Sequence, residues 1–181
     1  HIGGRTRAAA MDVTNEESVN KGVKNAIDLL NGLDVLINNA GVGVFGMQEH
    51  FTPDDMKYVF DVNVFGVQRV MRATLPHFRK QGKGTVIYTS SLLGRMTLPF
   101  YGVYNASKWA LEAIAENYRT ELSAFGIESM GYPERYGVML GVRFILSTPK
   151  RCAVYSVKAD WQRWTEMWPS SCLAQVNAVP R

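Results

Sequence analysis

The chain has 181 residues, of which 46% are hydrophobic and 20% are charged, a composition that supports one folded core and excludes an intrinsically disordered chain. The formal net charge of +4 lies entirely after residue 130, without a recognisable nucleic-acid module, so nucleic acid is not an expected partner. No apolar run reaches the roughly 18 residues of a membrane span.

The chain contains two cysteines, Cys152 and Cys172, and neither has a C-x-x-C partner. Neither a disulfide framework nor a zinc site is therefore expected. His50 and His77 also lack the spacing of metal ligands. No secretory signal is visible, although the chain begins at His1 without a methionine, and an upstream segment could carry one. These features predict a cytoplasmic protein without a metal.

Predicted strands and helices alternate along residues 8–130, as they do in a parallel α/β sheet. The expected strands cover residues 8–13, 35–37 and 85–90, and a further strand begins at residue 127. The first expected helix begins with a capping box formed by Thr14 and Glu17 and ends at Asn31-Gly32. Its apolar residues recur at helical spacing and form one stripe: Val19, Val23, Ala26, Ile27 and Leu30. A second helix begins at Thr52-Pro53 and continues to about Phe78, and a third covers residues 104–124.

Tyr104 and Lys108 lie four positions apart at the start of the third predicted helix, so their side chains project from one face. A free tyrosine has a pKa of about 10, and a neighbouring ammonium group would lower it towards neutrality, where the phenol can exchange protons. Taken alone, this pair is more typical of an aromatic residue and a solvated lysine on an exposed helix face than of a catalytic pair.

Three other polar segments support the catalytic interpretation of that pair. Ser91 follows a predicted strand, and Asn38-Asn39-Ala40-Gly41 follows another, so both lie at the carboxyl edge of the sheet, where ligands bind. Asn63 interrupts an apolar stretch within a predicted helix, which suggests a specific task such as holding a water. The alternatives are an ordinary serine turn, an ordinary Asn/Gly loop, and an asparagine that locally bends its helix.

The chain resembles the short-chain dehydrogenase/reductase family in four elements that follow one another in this order: N-N-A-G at 38–41, the helix residue Asn63, the strand-end residue Ser91 and Y-x-A-S-K at 104–108. The resemblance implies a Rossmann-like, doubly wound parallel α/β sheet and NAD or NADP as cofactor. It implies that Tyr104 is the general acid/base, that Lys108 lowers its pKa and holds the nicotinamide ribose, and that Ser91 orients the substrate carbonyl. Asn63 would anchor a water. The implied cofactor contacts are Asp12 and Val13 at the adenine, Asn38, Asn39, Ala40 and Gly41 beside the adenosine ribose, and Tyr104 and Lys108.

The chain departs from the family at both ends. The initial T-G-x-x-x-G-x-G element and the first two strands are absent, so the predicted sheet is incomplete. The strand at 8–13 is therefore expected either to move beside the strand at 35–37 or to fray, because its backbone needs partners. From residue 131 the sequence no longer resembles the family, and it holds three of the four tryptophans and both cysteines.

Two regions are therefore expected, a partial dinucleotide-binding domain over residues 1–130 and a divergent tail over residues 131–181. The abrupt change in composition suggests a frameshifted or misassembled coding sequence, and the tail is expected to dock poorly. The family also makes a homo-oligomer possible by analogy.

The connection between Ser91 and Tyr104 is unusually apolar, with Leu92, Leu93, Met96 and Phe100. It is expected either to line a pocket for an apolar, possibly lipid-like substrate or to pack on the core or a partner subunit. The predicted function is an oxidoreductase that interconverts an alcohol and a carbonyl with NAD(P)(H). The alternative is a non-catalytic fragment that binds no cofactor and keeps only a partial fold or an association surface.

Overall fold

The computed structural model describes residues 7–132, 152–157 and 173–178. Within these residues, six strands form one parallel sheet: β1 (Arg7–Ala10), β2 (Val35–Asn38), β3 (Gly84–Thr89), β4 (Ile127–Tyr132), β5 (Cys152–Val157) and β6 (Leu173–Ala178). The α-helices that accompany it are α1 (Glu16–Leu30), α2 (Pro53–Phe60), α3 (Gly66–Gln81) and α4 (Gly102–Ser123). The predicted Rossmann-like α/β class is confirmed.

The order of the strands across the sheet is β1-β6-β5-β2-β3-β4. Asn38 of β2 lies opposite Tyr88 of β3 on one side and opposite Tyr155 of β5 on the other. The expectation that the first strand moves beside β2 or frays is therefore wrong. β1 pairs instead with β6, and the two positions between β1 and β2 are filled by segments from the end of the chain.

The expectation that residues 131–181 dock poorly is wrong for β5 and β6, which pair with each other and with the strands on either side. The physical reason is the backbone of β1 and β2, whose polar groups on the facing edges need partners inside a fold. The rest of the tail, residues 133–151, 158–172 and 179–181, lies outside the described residues.

The hydrophobic core lies between the sheet and the helices α1 and α3, and it also includes Leu111, Ala115 and Leu122 of α4. Of the predicted apolar stripe of α1, Ile27 and Leu30 are partly buried, and Val19, Val23 and Ala26 are buried. They share the core with Met71 and Phe78 of α3 and with the strand residues Leu36, Val86 and Tyr88. The helical periodicity of the sequence therefore identified the buried face of α1 correctly.

Helix α1 begins differently from the prediction. Asn15, not Thr14, is the N-cap, and its Oδ1 accepts from the Ser18 backbone N–H at 2.9 Å. Thr14 instead donates to Asp12 Oδ1 through its backbone N–H at 2.9 Å and its hydroxyl at 2.7 Å. The predicted capping box of Thr14 and Glu17 is wrong because the Asp12 carboxylate engages the threonine. The predicted end at Asn31-Gly32 is confirmed, with Asn31 in the left-handed conformation (φ 54°).

Candidate active site

The candidate site lies at the carboxyl ends of β2 and β3, against the first turns of α4. Tyr104 is half-buried and Lys108 is 4% exposed. The Lys108 ammonium nitrogen lies 5.7 Å from the centroid of the Tyr104 ring. The helix therefore brings the phenol and the ammonium group to one face, as their spacing predicts.

Lys108 lies in an unusual environment for a lysine. Its Nζ donates to the carbonyl oxygen of Thr89, the last residue of β3, at 2.8 Å. Burial lowers the pKa of Lys108 to about 8, and the negative charge of Glu112 opposes that shift. An ammonium group has three hydrogens to donate, so the Thr89 contact leaves capacity for a further acceptor.

The loop after β2 approaches this lysine closely. A Cβ atom added at Gly41 would lie 3.4 Å from Asn63 Oδ1 and 3.6 Å from Lys108 Nζ. A Cβ atom added at Gly43 would lie 3.7 Å from the Tyr104 ring. The structure therefore brings Gly41, Asn63, Tyr104 and Lys108 together around one cleft, and small residues keep the loop close to the catalytic pair.

Asn63 is fully buried in a π-helical turn, Asp61–Phe65, that interrupts the predicted continuous helix between α2 and α3. Such turns often occur at functional sites. The Asn63 side chain accepts from the Val42 N–H at 2.8 Å and donates to the Val42 carbonyl at 2.9 Å. It also donates to the Ser107 hydroxyl at 2.9 Å, and that hydroxyl donates to the Tyr104 carbonyl at 2.8 Å.

These contacts connect the loop after β2 to the helix that carries Tyr104. Sequence reasoning missed both partners of Asn63. For Ser107, the position inside Y-x-A-S-K was an available signal, because a serine in the first turns of a helix can bond to a backbone carbonyl. For Val42, the sequence holds no signal, because Val42 takes part in the contact only through its backbone atoms.

Ser91 lies two residues after Thr89, the last residue of β3, and is the N-cap of a short 3₁₀ turn at Leu92–Gly94. Its Oγ accepts from the Leu93 N–H at 3.2 Å. Since this bond uses a lone pair of the oxygen, the hydroxyl hydrogen can still donate elsewhere. The position and the donor match what the resemblance implies for a residue that orients a substrate oxygen.

Other residues predicted to contact a cofactor have different surroundings. The Asn38 side chain is buried and donates to Met71 Sδ at 3.7 Å, so Asn38 can offer a ligand only its backbone. The Asp12 carboxylate accepts from Thr14. Val13 is buried, and its carbonyl accepts from Arg69 at 3.1 Å. Asn39 is half-buried and Ala40 is buried, at the end of β2.

The connection between Ser91 and Tyr104 borders an open pocket of about 570 Å³. Leu98, Pro99 and Phe100 line one side of it, and Asn105 and Trp109 line the other. Leu92, Leu93 and Met96 do not contribute to its lining.

The backbone of this connection is tied to the loop after β2. Phe100 has a positive φ of 69°, and its carbonyl accepts from the Gly46 N–H at 2.9 Å. The ring of Phe45 contacts the rings of Phe100 and Tyr101 at centroid distances of 5.7 and 5.2 Å. The two loops that flank the cleft therefore support each other.

The described residues contain no group of three or more histidine, cysteine or acidic side chains that could hold a metal ion. His77 has a structural contact instead, since its Nε2 accepts from the Leu33 N–H at 3.2 Å. Of the helices in the described ranges, not one has both the length and the apolar character that crossing a bilayer requires.

A nicotinamide dinucleotide is the cofactor that the fold implies. The residues around Lys108 and Tyr104 suit its nicotinamide and the attached ribose. A buried cation with hydrogens to donate, a half-buried phenol and a closely approaching glycine loop fit a ribose and its nicotinamide. The phosphate end is different: β5 stands beside β2, where the family's glycine-rich turn would follow the strand, but the sequence of residues 158–172 contains no glycine. The residues after Val157 are outside the described part of the chain.

The fold and this cleft are those of a doubly wound parallel α/β protein, and comparison with known proteins identifies the family. The model of the family described as short chain dehydrogenase matches residues 1–132. The chain belongs to this family, and the match ends where the sequence was predicted to diverge.

Several relatives are similar to the chain over its first two thirds. The 3-ketodihydrosphingosine reductase of Bacteroides thetaiotaomicron is 39% identical over 125 residues, which cover 69% of this chain and 46% of the reductase. Retinol dehydrogenase 8 of Bos taurus is 36% identical over 128 residues, which cover 70% of this chain and 40% of that enzyme. The chain thus spans about half the length of such relatives, or less.

One further relative extends the similarity. The ketoacyl reductase HetN of Nostoc sp. is 30% identical over 175 residues, which cover 91% of this chain and 61% of HetN. That match necessarily continues past residue 130.

Solved structures give the same family. A short-chain dehydrogenase from Streptomyces avermitilis is 26% identical with a TM-score of 0.62, over 92% of this chain and 52% of that one. A short-chain dehydrogenase/reductase from Burkholderia phymatum in complex with NAD is 25% identical with a TM-score of 0.62, over 81% of this chain and 45% of that one.

Proposed function

We propose that this chain carries the catalytic centre of an oxidoreductase that interconverts an alcohol and a carbonyl with NAD or NADP. The observation that carries the proposal is the buried Lys108, which lies beside Tyr104, donates to the carbonyl at the end of β3 and is approached closely by the glycine loop after β2. The related structure solved with NAD supports the choice of cofactor.

The residues of this chain would divide the work of binding and proton transfer. Lys108 would hold the ribose with its remaining hydrogens, and the backbone at Gly41 would border the same group. When bound, the nicotinamide ring exchanges a hydride with the substrate carbon. Tyr104 would donate its phenolic proton to the substrate oxygen or receive one from it.

Ser91 and Asn63 would support this transfer. The Ser91 hydroxyl would donate to the substrate oxygen and hold it towards Tyr104. Asn63 uses both of its amide hydrogens within the protein, so a water that it anchors would donate to the remaining lone pair of Oδ1. The hydrogen bonds of Asn63 to Val42 also hold the glycine loop after β2 in place.

We propose an apolar, lipid-like substrate. Leu92, Met96 and Phe100 are exposed large apolar side chains near the site, and a group of exposed apolar side chains can mark a ligand or partner surface. Relatives of the chain are named for a ketodihydrosphingosine and for retinol, both of which carry long hydrocarbon segments.

Cofactor binding distinguishes this function from the alternative, a fragment without catalytic competence. The intact chain would be titrated with NADH and, separately, with NADPH while the fluorescence of the reduced nicotinamide is followed. Saturable enhancement supports the proposal. No binding at millimolar cofactor would identify the chain as a non-catalytic remnant.

Where binding occurs, Tyr104→Phe isolates the proton transfer, because it removes one oxygen and leaves the ring that packs near Gly43. We expect turnover to fall by at least about 100-fold, the typical contribution of a general acid/base, while cofactor affinity stays nearly unchanged. Turnover comparable to the parent chain would remove the role assigned to Tyr104.

A further inference from the structure

Glu112 lies one helical turn after Lys108 on α4, on the face that also carries Tyr104. Its side chain is 8% exposed, which is unusual for a carboxylate unless it is paired. Glu112 Oε2 accepts from the Arg95 guanidinium at 2.8 Å. Its other oxygen, Oε1, is buried and has no hydrogen-bond partner among the described residues.

Two glycines make room for this carboxylate. A Cβ atom added at Gly94, in the turn after Ser91, would lie 3.0 Å from Glu112 Cγ. A Cβ atom added at Gly131, in β4, would lie 3.3 Å from Glu112 Oε2. Glu112 therefore lies where α4, β4 and the loop that carries Ser91 meet, and any larger residue at either position would crowd it.

The charge of Glu112 also acts on the catalytic lysine. Burial lowers the pKa of Lys108, and the Glu112 carboxylate opposes this shift. The other groups that face Lys108 in the described part of the chain are the Thr89 carbonyl of β3, the Asn63 amide near Gly41 and the Tyr104 phenol. Arg95, from the Ser91 loop, contributes a positive charge on the far side of Glu112.

We propose that Glu112 is a positioning residue, whose carboxylate supports the positive charge of Lys108 and, through Arg95, holds the Ser91 loop against α4. The proposal deepens the proposed function, in which Lys108 acts through its charge. The electrostatic coupling itself requires neither cofactor nor turnover, so it can be tested on the chain alone.

The test is a pH titration of the intact chain labelled with ¹⁵N-lysine, followed by NMR of the lysine ammonium and amine signals. The Lys108 signal is identified by its loss in Lys108→Arg. Glu112→Gln keeps the size of the side chain and an acceptor for Arg95 but removes the charge. We expect the Lys108 midpoint to fall by about one pH unit, so that its proton is held about tenfold less tightly.

Glu116→Gln is the matched control, because Glu116 lies on the same helix one turn further on, is exposed and pairs with Arg119. We expect that variant to leave the Lys108 midpoint unchanged. Arg95→Gln is a second test. In this variant the Glu112 carboxylate keeps an uncharged hydrogen-bond donor, and the positive charge that competes with Lys108 for the carboxylate is removed. We expect the Lys108 midpoint to rise in that variant.

The outcomes separate this proposal from a purely structural role and from the proposed function. An unchanged Lys108 midpoint in folded Glu112→Gln overturns the proposal, even if the variant melts at a lower temperature. Should Glu112→Gln not fold, an unchanged or lower midpoint in Arg95→Gln overturns it. Failure of the chain to bind NADH would count against the proposed function and leave this titration as informative as before.

Discussion

Lys108 lies in surroundings that an ammonium group ordinarily avoids, since it is buried and donates to a backbone carbonyl. Burial lowers its pKa in the folded chain to about 8, whereas an unfolded lysine titrates near about 10.4. Between these values the unfolded chain binds more protons than the folded chain does. The contribution of Lys108 to stability therefore increases as the pH rises through this window and is lost as the pH falls.

Lys108→Met should remove this dependence on pH. The free energy of unfolding of the parent chain, relative to that of the variant, should rise by about 2 kcal/mol between about pH 7.5 and about pH 9.5. Urea denaturation at a series of pH values measures the difference. Lys80→Met, at an exposed position of α3, is the control and should keep the parent dependence. Parallel curves for the parent and Lys108→Met would contradict the burial argument.

Asn63 is the second residue whose role the surrounding structure defines, because its amide connects Val42 to Ser107. Asn63→Ala should reduce the free energy of unfolding by about 2–3 kcal/mol, at about 1 kcal/mol for each lost hydrogen bond. Hydrogen exchange at the Val42 amide should accelerate more than exchange in β3. Asn15→Ala, which removes the N-cap of α1, should cost about 1 kcal/mol without this local effect. Equal acceleration of exchange at the Val42 amide in both variants would refute the connection of Val42 to Ser107 through Asn63.

At the scale of the elements, helix ends and turns were easier to predict than contacts between turns. The start of α2 follows the sequence, with Thr52 and Asp55 in a reciprocal capping box and Pro53 in the first turn. The glycines that end α3 and follow α4 are Gly82 and Gly126, both with positive φ of 68° and 67°. These two turns touch, since a Cβ atom at Gly126 would lie 2.5 Å from the Gly82 carbonyl oxygen.

This contact distinguishes two otherwise similar substitutions. Gly82→Ala meets no atom within 4 Å and should cost about 1–2 kcal/mol, the strain of a left-handed alanine. Gly126→Ala adds a collision with a backbone oxygen and should cost about 3 kcal/mol or more. Thermal and chemical denaturation of both variants measures the comparison. Equal losses of stability would show that the two turns do not touch.

At the scale of the whole molecule, the sheet is completed by segments that come last in the chain. β5 and β6 stand between β2 and β1 and pair with both. Without them, β1 would have no partner in the described sheet, and β2 would pair only with β3. Exposed strand edges of this kind promote misfolding and association.

A chain that ends at residue 150 should therefore be less stable and more prone to aggregate. We expect a lower melting temperature, a broader transition and faster hydrogen exchange at the β2 amides that face β5. A chain that ends at residue 178 keeps all six described strands and should behave like the parent. If the shorter chain kept the parent melting temperature and β2 protection, the observed strand order would not contribute to stability.

Prediction from the sequence succeeded where the signal is local. The stripe of Val19, Val23 and Ala26 and the spacing of Tyr104 and Lys108 are properties of single helices. It failed where the deciding partner is distant or competes nearby. The N-cap moved to Asn15 because Asp12 engages Thr14, and a π-helical turn replaced a regular helix around Asn63.

The sequence by itself determined the α/β class, the membership suggested by Y-x-A-S-K, and the pairing of a phenol with an ammonium group, because each depends on residues close in the chain. Only the tertiary structure decided which strands fill the middle of the sheet, that Glu112 accepts from Arg95 of the Ser91 loop, and that Asn63 donates to Ser107 of α4. Such contacts form where surfaces from distant segments meet, and the need of buried polar groups for partners selects among them.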